Sequence, residues 1–443
     1  MCGIAGFWRT EGRIEDDPAA NAGRMAEAMR LRGPDDQGVW LSNDRRMVLS
    51  HRRLSILDTS SRGHQPMHSA DGRQVIVYNG EIYNFRELRT DLEREGDRFS
   101  TGTDTEVILA AYRRFGVDCL HRFNGMFDFA IWDEDDQSLF LARDRFGVKP
   151  LLYLWQGGLL LFASEMKAIR AFDGLPALTL NVSAIRRYFY LTYLMPQDTV
   201  YKEIRQLDAG HFLVVKDGNC RCKRWYDLAP CYTDKIDSPA EGIQALRKTM
   251  EAAVRDRLVS DVPLGAFLSG GVDSSIVVGL MAKFSPKRVK TFTVGYNDAP
   301  VYDESAFARK VARHFGTEHS EIRLSLRDGI AVIPDALDYL DQPFGDSSCI
   351  PTYLISRETR KEVTVALSGD GGDEVFAGYS KYQAEAYVPY FRLIPGAVWI
   401  TVRKLLANVP EGRQSRLHEY VRMLKKFLRA DSTDQVTRHC ALM

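Results

Sequence analysis

The 443-residue sequence has no excess of charge of either sign: 59 Lys and Arg stand against 59 Asp and Glu. That balance removes the whole-chain field that draws a protein to nucleic acid or to an anionic bilayer. Neither nucleic acid nor a membrane is expected as a partner, and ligands have to be read from local sites. Long hydrophobic runs are missing too, since no stretch approaches the ~20 apolar residues that span a bilayer. The start, Met1-Cys2-Gly3-Ile4-Ala5-Gly6-Phe7-Trp8, lacks a basic flank and meets Arg9, Glu11 and Arg13 before the core of a signal peptide could form. Cysteines are few and irregular: Cys2, Cys119, Cys220, Cys222, Cys231, Cys349 and Cys440 are odd in number and scattered. A stapled secreted domain carries a dense, even set, so a reducing, cytoplasmic setting is expected. Internal repeats and low-complexity tracts are absent. With 45% hydrophobic and 27% charged residues the chain is neither disordered nor collagen-like. At ~150 residues per domain it has room for two large domains or three smaller ones.

What is present changes rhythm near residues 228–242. Before that point short apolar runs alternate with turn chemistry: Val75–Tyr78, Met126–Trp132, Leu139–Ala142, Leu151–Trp155 and Leu159–Ala163. These predict antiparallel strands and hairpins. Helical patterns at Ala19–Arg30, Phe85–Arg94 and Thr105–Phe115 lie among them, so the first half is expected to be α+β. Pro230, Ser238 and Pro239 mark a linker over Asp227–Ala240, after which Ile243, Leu246, Met250, Val254 and Leu258 recur at helical spacing. Beyond it strands and helices alternate: Val262–Leu268, Ser275–Phe284, Val289–Tyr296, Glu304–Phe315, Glu318–Leu324 and, after more helix, Val363–Leu367. Such alternation predicts an α/β doubly wound parallel sheet, with ligands beyond the carboxyl ends of its strands. The expected domains are 1–228 and 241–443.

Chemistry begins at residue 2. Loss of Met1 would leave Cys2 with a thiol and a free α-amine on one residue. With a pKa of about 7.7–8.0 that amine is able to take the thiol proton without a histidine. Gly3 and Gly6 let the backbone pack closely around it. Further along stand Arg32-Gly33-Pro34-Asp35, His51-Arg52-Arg53-Leu54-Ser55-Ile56, Tyr78-Asn79-Gly80-Glu81-Ile82-Tyr83-Asn84 and Thr101-Gly102-Thr103-Asp104-Thr105-Glu106. Read singly, Asn79-Gly80 is a turn after the strand Val75–Tyr78, Arg53 a surface arginine and Asp104 a helix N-cap. In this order and behind Cys2, over roughly residues 2–165, they resemble a class II glutamine amidotransferase domain. The resemblance implies an Ntn-type αββα sandwich with Cys2 as nucleophile. Asn79 and the Gly80 N–H would form the oxyanion hole, and Arg53, followed by Leu54, Ser55 and Ile56, would receive the glutamine α-carboxylate. Glu81 and Asp104 would accept from its α-ammonium.

A second constellation follows the strand Val262–Leu268: Ser269-Gly270-Gly271-Val272-Asp273-Ser274-Ser275, opening into the helical run Ile276–Met281. Two glycines let backbone N–H groups wrap an anion, the serine hydroxyls add donors, and a helix N-terminus favours negative charge. The Gly-Lys-Ser/Thr ending of a Walker A loop is absent. The motif resembles the pyrophosphate loop of ATP pyrophosphatases. Ser368-Gly369-Asp370-Gly371-Gly372-Asp373-Glu374 ends another strand. Asp273 and Asp373 are the expected carboxylates for Mg²⁺, which takes one or two of them together with phosphates and water.

Both motif sets in one chain resemble the glutamine-hydrolysing asparagine synthetase family, from Cys2 to about Tyr382. That resemblance implies that ATP adenylates a carboxylate, most simply aspartate, releasing pyrophosphate. Ammonia from glutamine then displaces AMP after passing a dry internal tunnel that keeps it unprotonated. By the same resemblance Leu268 and Val294 line the adenine–ribose pocket, Ser368 and Gly369 contact the nucleotide, and Asp370 serves intermediate formation. Some relatives carry Glu where Asp370 stands, which leaves the acceptor acid open between aspartate and another carboxylate such as a sugar acid. A homodimer is the expected assembly. The family continues beyond the position matching Met443, so the second domain is expected to be incomplete there. Residues 403–429 hold eight Lys/Arg against two Glu and predict an amphipathic helix. Two rival readings remain open: a glutaminase with an inactive synthetase domain, and an RNA-thiolating pyrophosphatase, which has no use for Cys2. Cys220-x-Cys222 with Cys231 lacks the partners of a zinc site, and His51, His64 and His68 show no ligand spacing.

Overall fold

The computed structural model describes residues 1–12, 17–229, 236–298 and 303–379, and beyond these 382, 388, 390, 396–407, 409, 421–425 and 428. They divide into two units, one within Met1–Pro263 and Asp335–Ser347, the other within Leu264–Pro334 and Ser348–Met443.

The strands of the first unit are β1 (Gly3–Arg9), β2 (Asp36–Leu41), β3 (Met47–Arg53), β4 (Met67–His68), β5 (Gln74–Ile82), β6 (Gly125–Asp133), β7 (Ser138–Arg143), β8 (Leu152–Gln156), β9 (Leu159–Ala163), β10 (Ile204–Gln206), β11 (His211–Lys216) and β12 (Asn219–Arg224). They make two six-stranded antiparallel sheets, ordered β10-β8-β9-β1-β3-β2 and β12-β11-β7-β6-β5-β4. The twofold alternation of strand side chains sorts residues into layers. In β1, Ile4 and Trp8 point between the sheets, whereas Ala5 and Phe7 pack outward with Ala22, Met25, Met166 and Ile169. In β5, Val75 and Val77 face the other sheet, whereas Ile76 and Tyr78 pack with Leu88, Leu92, Val107 and Ile108. The outward layers are the helices Pro18–Ala28 and Met166–Arg170 on one side and Phe85–Arg94 and Asp104–Phe115 on the other. The result is the expected αββα sandwich. Because both sheet faces are covered, strands such as Leu159–Ala163 are buried throughout and read as continuous apolar runs.

The expected helix after the linker is present as Pro239–Asp256, capped by Ser238 on Glu241 N–H. Its apolar stripe is only partly used: Val254 is buried, but Ile243 and Leu246 are exposed. Residues 335–347 also group with this unit. The Asp341 carboxylate accepts the Met166 and Lys167 N–H groups, supplying the N-terminal cap that the helix Met166–Arg170 lacks locally.

The second unit is built on β13 (Leu264–Phe267), β14 (Lys290–Tyr296), β15 (Glu318–Leu324) and β16 (Val365–Leu367). These form a parallel sheet in the order β15-β14-β13-β16. The helices Val272–Phe284, Ser305–Phe315 and Cys349–Thr359 lie between them in sequence. Strand order reverses between β13 and β16, the place where an open α/β sheet leaves a crevice at its carboxyl edge. The amphipathic pattern over 403–429 falls mostly outside the described residues; the helix Gly396–Ala407 holds its first part. Among the described residues no helix is long and apolar enough to cross a membrane.

Candidate active sites

The first site is assembled by strand pairing. β1 and β3 run antiparallel with Gly3 opposite Arg52, so the ladder carries Cys2 to the end of β3. There Cys2 Sγ accepts the Leu54 N–H at 3.3 Å and lies 3.6 Å from Leu54 O. Arg32 Nε donates to Cys2 O at 2.8 Å and Arg32 pairs with buried Glu165 at 3.3 Å, tying down the Cys2 backbone. Burial pushes the Cys2 thiol up; the Leu54 N–H, the terminal ammonium, Lys149 and Arg53 pull it the other way.

Arg53 is buried, not a surface residue. Its guanidinium donates to Ser60 O at 2.9 Å, Leu57 O at 3.1 Å and Asp58 O at 2.5 Å, which fixes the loop after β3 and leaves two of five N–H groups uncommitted. The same loop is held by Ser55 N–H to Asp35 at 2.8 Å, Asp58 N–H to Asp261 at 2.8 Å and Gly102 N–H to Asp58 at 2.9 Å. The Ile56 carbonyl accepts the Asp261 N–H at 3.1 Å. A Cβ on Gly63 would collide with the Arg53 guanidinium.

Asn79 and Gly80 are not a turn. They lie inside β5, whose ladder with β6 continues through Asn79 opposite Asp128 and Gly80 opposite Phe127 to Ile82 opposite Gly125. Glycine interrupts the apolar pattern because Met126 O and the Phe127 backbone occupy the space a Cβ would need. Asn79 Nδ2 donates to Asp128 Oδ2 at 2.9 Å. Burial raises the Asp128 carboxyl to about 7, against the pull of Asn79, Arg32, Lys149 and Arg143. Asp104 is the first residue of its helix, not the cap, which is Thr103 bonding Glu106 N–H. Its Oδ2 accepts from Tyr78 OH at 2.7 Å and Ile82 N–H at 2.9 Å, and burial pushes its carboxyl up. Burial, with Asp104 beside it, raises Glu81 to about 7, opposed by Lys149 and Arg257. Two carboxylates in one buried place favour a cationic ligand.

The sequence reading missed Lys149. It is 5% exposed, its Nζ donates to Met1 Sδ at 3.2 Å, and it acts electrostatically on Asp128, Glu81 and Cys2. Its peptide group is clamped on both sides: the Lys149 N–H donates to Asp144 at 3.0 Å and its carbonyl accepts Arg143 Nε at 2.6 Å. The signal was the run Arg143-Asp144-Arg145-Phe146-Gly147-Val148-Lys149, one charge ending a buried strand and three more directly after it. His51 is buried and donates Nε2–H to Tyr78 O at 3.0 Å, with burial lowering its pKa to about 3. His64 bonds Asp36 at 2.7 Å and His68 meets the edge of Trp40. Cys220 and Cys222 are free on β12, and Cys231 lies outside the described residues.

The second site lies at the strand-order reversal. Leu268 directly follows β13 and is buried, and Val294 is half-buried within β14. In the loop, Ser269 and Ser274 hydroxyls are 2.9 Å apart, Gly271 N–H donates to Ser269 Oγ at 3.2 Å and Ser275 Oγ donates to Gly271 O at 2.6 Å. Gly270 takes φ +84°, and a side chain there would strike Ala308 N and Phe307. The helix Val272–Phe284 starts at Gly271 without a side-chain cap, which leaves its first N–H groups for an anion. The loop after β16 meets this one: a Cβ on Gly369 would approach Ser274 N at 2.7 Å, and one on Gly372 would approach the Asp273 carboxylate at 2.5 Å. Ser368 Oγ donates to exposed Asp370 at 2.9 Å. Gly372, the residue before Asp373, thus lies against the Asp273 carboxylate. Among the described residues no three acidic, Cys or His side chains gather as a metal cage.

Comparison with known proteins follows these two sites. A family model described as Glutamine amidotransferase domain matches residues 1–226, and one described as Asparagine synthase matches residues 245–441. The chain is 38% identical over 428 residues to "Putative asparagine synthetase (glutamine-hydrolyzing) 2" of Methanocaldococcus jannaschii, covering 91% of this chain and 81% of that protein. Identity is 33% over 422 residues to asparagine synthetase (glutamine-hydrolyzing) 1 of Bacillus subtilis, with 94% and 65% covered. With asparagine synthetase B (glutamine-hydrolyzing) of Escherichia coli it is 34% over 410 residues, with 86% and 64% covered. The chain therefore spans a little under two thirds of the length of these last two relatives.

Proposed function

Because the chain belongs to the glutamine-hydrolysing asparagine synthetase family, we propose that it is a glutamine-dependent amidoligase built as a glutaminase domain over 1–228 and a synthetase domain over 241–443. After Met1 is removed, the Cys2 amine takes the thiol proton and the thiolate attacks the glutamine carboxamide carbon. Asn79 Nδ2 and Gly80 N–H hold the oxyanion, and the intermediate collapses to a glutamyl thioester as ammonia leaves with that proton. Water then cleaves the thioester. Arg53 with the Leu54–Ser55–Ile56 loop receives the α-carboxylate; Glu81 and Asp104 receive the α-ammonium.

In the second domain the loop from Ser269 to Ser275 cradles the ATP phosphates, Leu268 and Val294 border adenine and ribose, and Ser368 with Gly369 closes on the nucleotide. A carboxylate oxygen, from aspartate in the simplest case, attacks the α-phosphorus and pyrophosphate leaves. Asp370 sits by the acyl-adenylate, which ammonia converts to the amide with loss of AMP. Asp273 and Asp373 would hold Mg²⁺, which needs only one or two carboxylates beside phosphate and water; bound there it would neutralise charge on the pyrophosphate. A homodimer in a reducing cytoplasm completes the proposal.

The observation that carries the reading is the Cys2 thiol, set against the Leu54 N–H beside buried Arg53 and within the field of Lys149. The experiment supplies glutamine, ATP and aspartate and follows ammonia, AMP, pyrophosphate and asparagine. Cys2→Ala should abolish glutamine-dependent synthesis and spare synthesis from added ammonia, and Asp273→Ala should do the reverse to the synthetase half. ADP as product, or loss of both activities in Cys2→Ala, overturns it; AMP formed only with another acid replaces aspartate as the acceptor.

A further inference from the structure

Asp128 stands where the pattern of β6 calls for an apolar residue. Its neighbours on the same face, Ala130 and Trp132, belong to the layer between the two sheets, as do Val75 and Val77 beside Asn79 on β5. A carboxylate in that layer loses its hydration. Asp128 is fully buried, and Oδ1 has no hydrogen-bond partner among the described residues. Its bond to protein runs from Oδ2 to Nδ2 of Asn79, its cross-strand partner in register. So costly a group is not explained by packing, and the residue it touches is the one assigned to the oxyanion hole.

We propose that Asp128 is a positioning residue that sets the Asn79 carboxamide as an oxyanion donor, which rests on the glutaminase reading above. The two ends of a carboxamide are close to isosteric, and only the NH₂ end stabilises an oxyanion. In its ionised form Asp128 accepts and does not donate, so it then selects the orientation with Nδ2 toward Asp128 Oδ2, and the assay is run at pH 8, where that form prevails. One N–H of that nitrogen is then spent in fixing the plane, and the other is left to the substrate. Preorganisation of this kind matters because the donor has to stand ready before charge develops. Without Asp128 the carboxamide is free to turn its oxygen to the same place.

The test is a double-mutant cycle on the full chain, with Asp128→Ala, Asp128→Asn, Asn79→Ala and the combined variants assayed for glutaminase kcat and KM. Asp128→Ala should lower kcat by about a hundredfold, the scale of a displaced oxyanion donor, with KM and the rate of Cys2 alkylation unchanged. Asp128→Asn should fall between, since its amide is able to accept from Nδ2 in one of its two orientations. In the Asn79→Ala background neither change should cost anything further. Asp128→Asn keeps an acceptor for Nδ2 and should hold the melting temperature, whereas Asp128→Ala leaves the buried Asn79 amide unpaired. Therefore kcat is read well below the transition of each variant, and the split between kcat and KM, not stability, identifies the positioning role. Unchanged kcat in Asp128→Ala, or an equal loss with and without Asn79, overturns the positioning role. An inactive wild type, or activity that survives Cys2→Ala, overturns the glutaminase reading instead, so the two failures are separable.

Discussion

Glu81 gives a pH dependence whose size follows from its surroundings. Burial and the neighbouring Asp104 raise its carboxyl to about 7, so the free protein holds it protonated below that pH. An α-ammonium arriving beside it favours the carboxylate, and binding must therefore release a proton whenever Glu81 starts neutral. At pH 6 about nine-tenths of the molecules begin protonated and at pH 8 about one-tenth. The glutamine dissociation constant should accordingly rise about tenfold between pH 8 and pH 6, with roughly 0.9 proton released per glutamine at the lower value. Titration calorimetry in buffers of different ionisation enthalpy reads both quantities, and the Cys2→Ala protein removes turnover and the thiol from the measurement. A slope steeper than one proton identifies Asp104, whose carboxyl is also pushed up by burial, as a second titrating group. Glu81→Gln should abolish the dependence and weaken binding at pH 8 by about ten- to a hundredfold, the loss of one charge-assisted hydrogen bond. An affinity that stays flat from pH 8 to 6 refutes the assignment of Glu81 to the ammonium.

Lys149→Met keeps the apolar stem and removes a cation that pulls the Cys2 thiol down; the rate of Cys2 alkylation by iodoacetamide at pH 7 should fall because less thiolate is present, and an unchanged rate removes Lys149 from the site. His51 is held neutral by burial, with a pKa of about 3 in the folded chain against 6.5 in the free side chain. The unfolded chain therefore binds the extra proton between those values, so stability present above pH 6.5 is lost as pH falls toward 3. The contribution is about 2 kcal/mol between pH 7 and 5 and about 4–5 kcal/mol in full. Urea unfolding of His51→Gln, which retains a donor for Tyr78 O, should show a shallower acid loss by that amount.

How much of this was legible in sequence depended on the range of the interactions. The parallel half was readable almost throughout, because strand and helix patterns alternate along it and the glycine loops fall directly after β13 and β16, although β15 is itself rich in polar residues. In the first half the hairpin β6–β7 and the hairpin β8–β9 announced themselves by local turn chemistry. β3 did not: Met47–Arg53 carries Ser50, His51, Arg52 and Arg53. Its polar groups are buried only because partners far along the chain receive them, Ala5 O for Ser50 and Tyr78 O for His51. β12 is polar throughout and exists as the edge partner of β11. Lys149 resembled a solvated loop charge for the same reason, its burial being a property of the tertiary structure.

Register explains why the residues could be named and their arrangement could not. Motif residues are visible one at a time, but Cys2 reaches Leu54 and Arg53 only because Gly3 stands opposite Arg52, and Asn79 meets Asp128 only because β5 and β6 align them. A slip of one residue in either ladder would turn every side chain to the opposite face, removing the Asn79 amide from its carboxylate. Close packing guards the first register: opposite Leu49, Gly6 faces the Phe162 ring and Val48 O, where no Cβ fits. In the second, Gly80 lies so near Met126 O and Phe127 that the fit of β5 on β6, and with it the N–H proposed for the oxyanion, depends on the same missing side chain. The glycine next to Asn79, which as a sequence reads as a turn, is therefore what permits a continuous strand to carry the site.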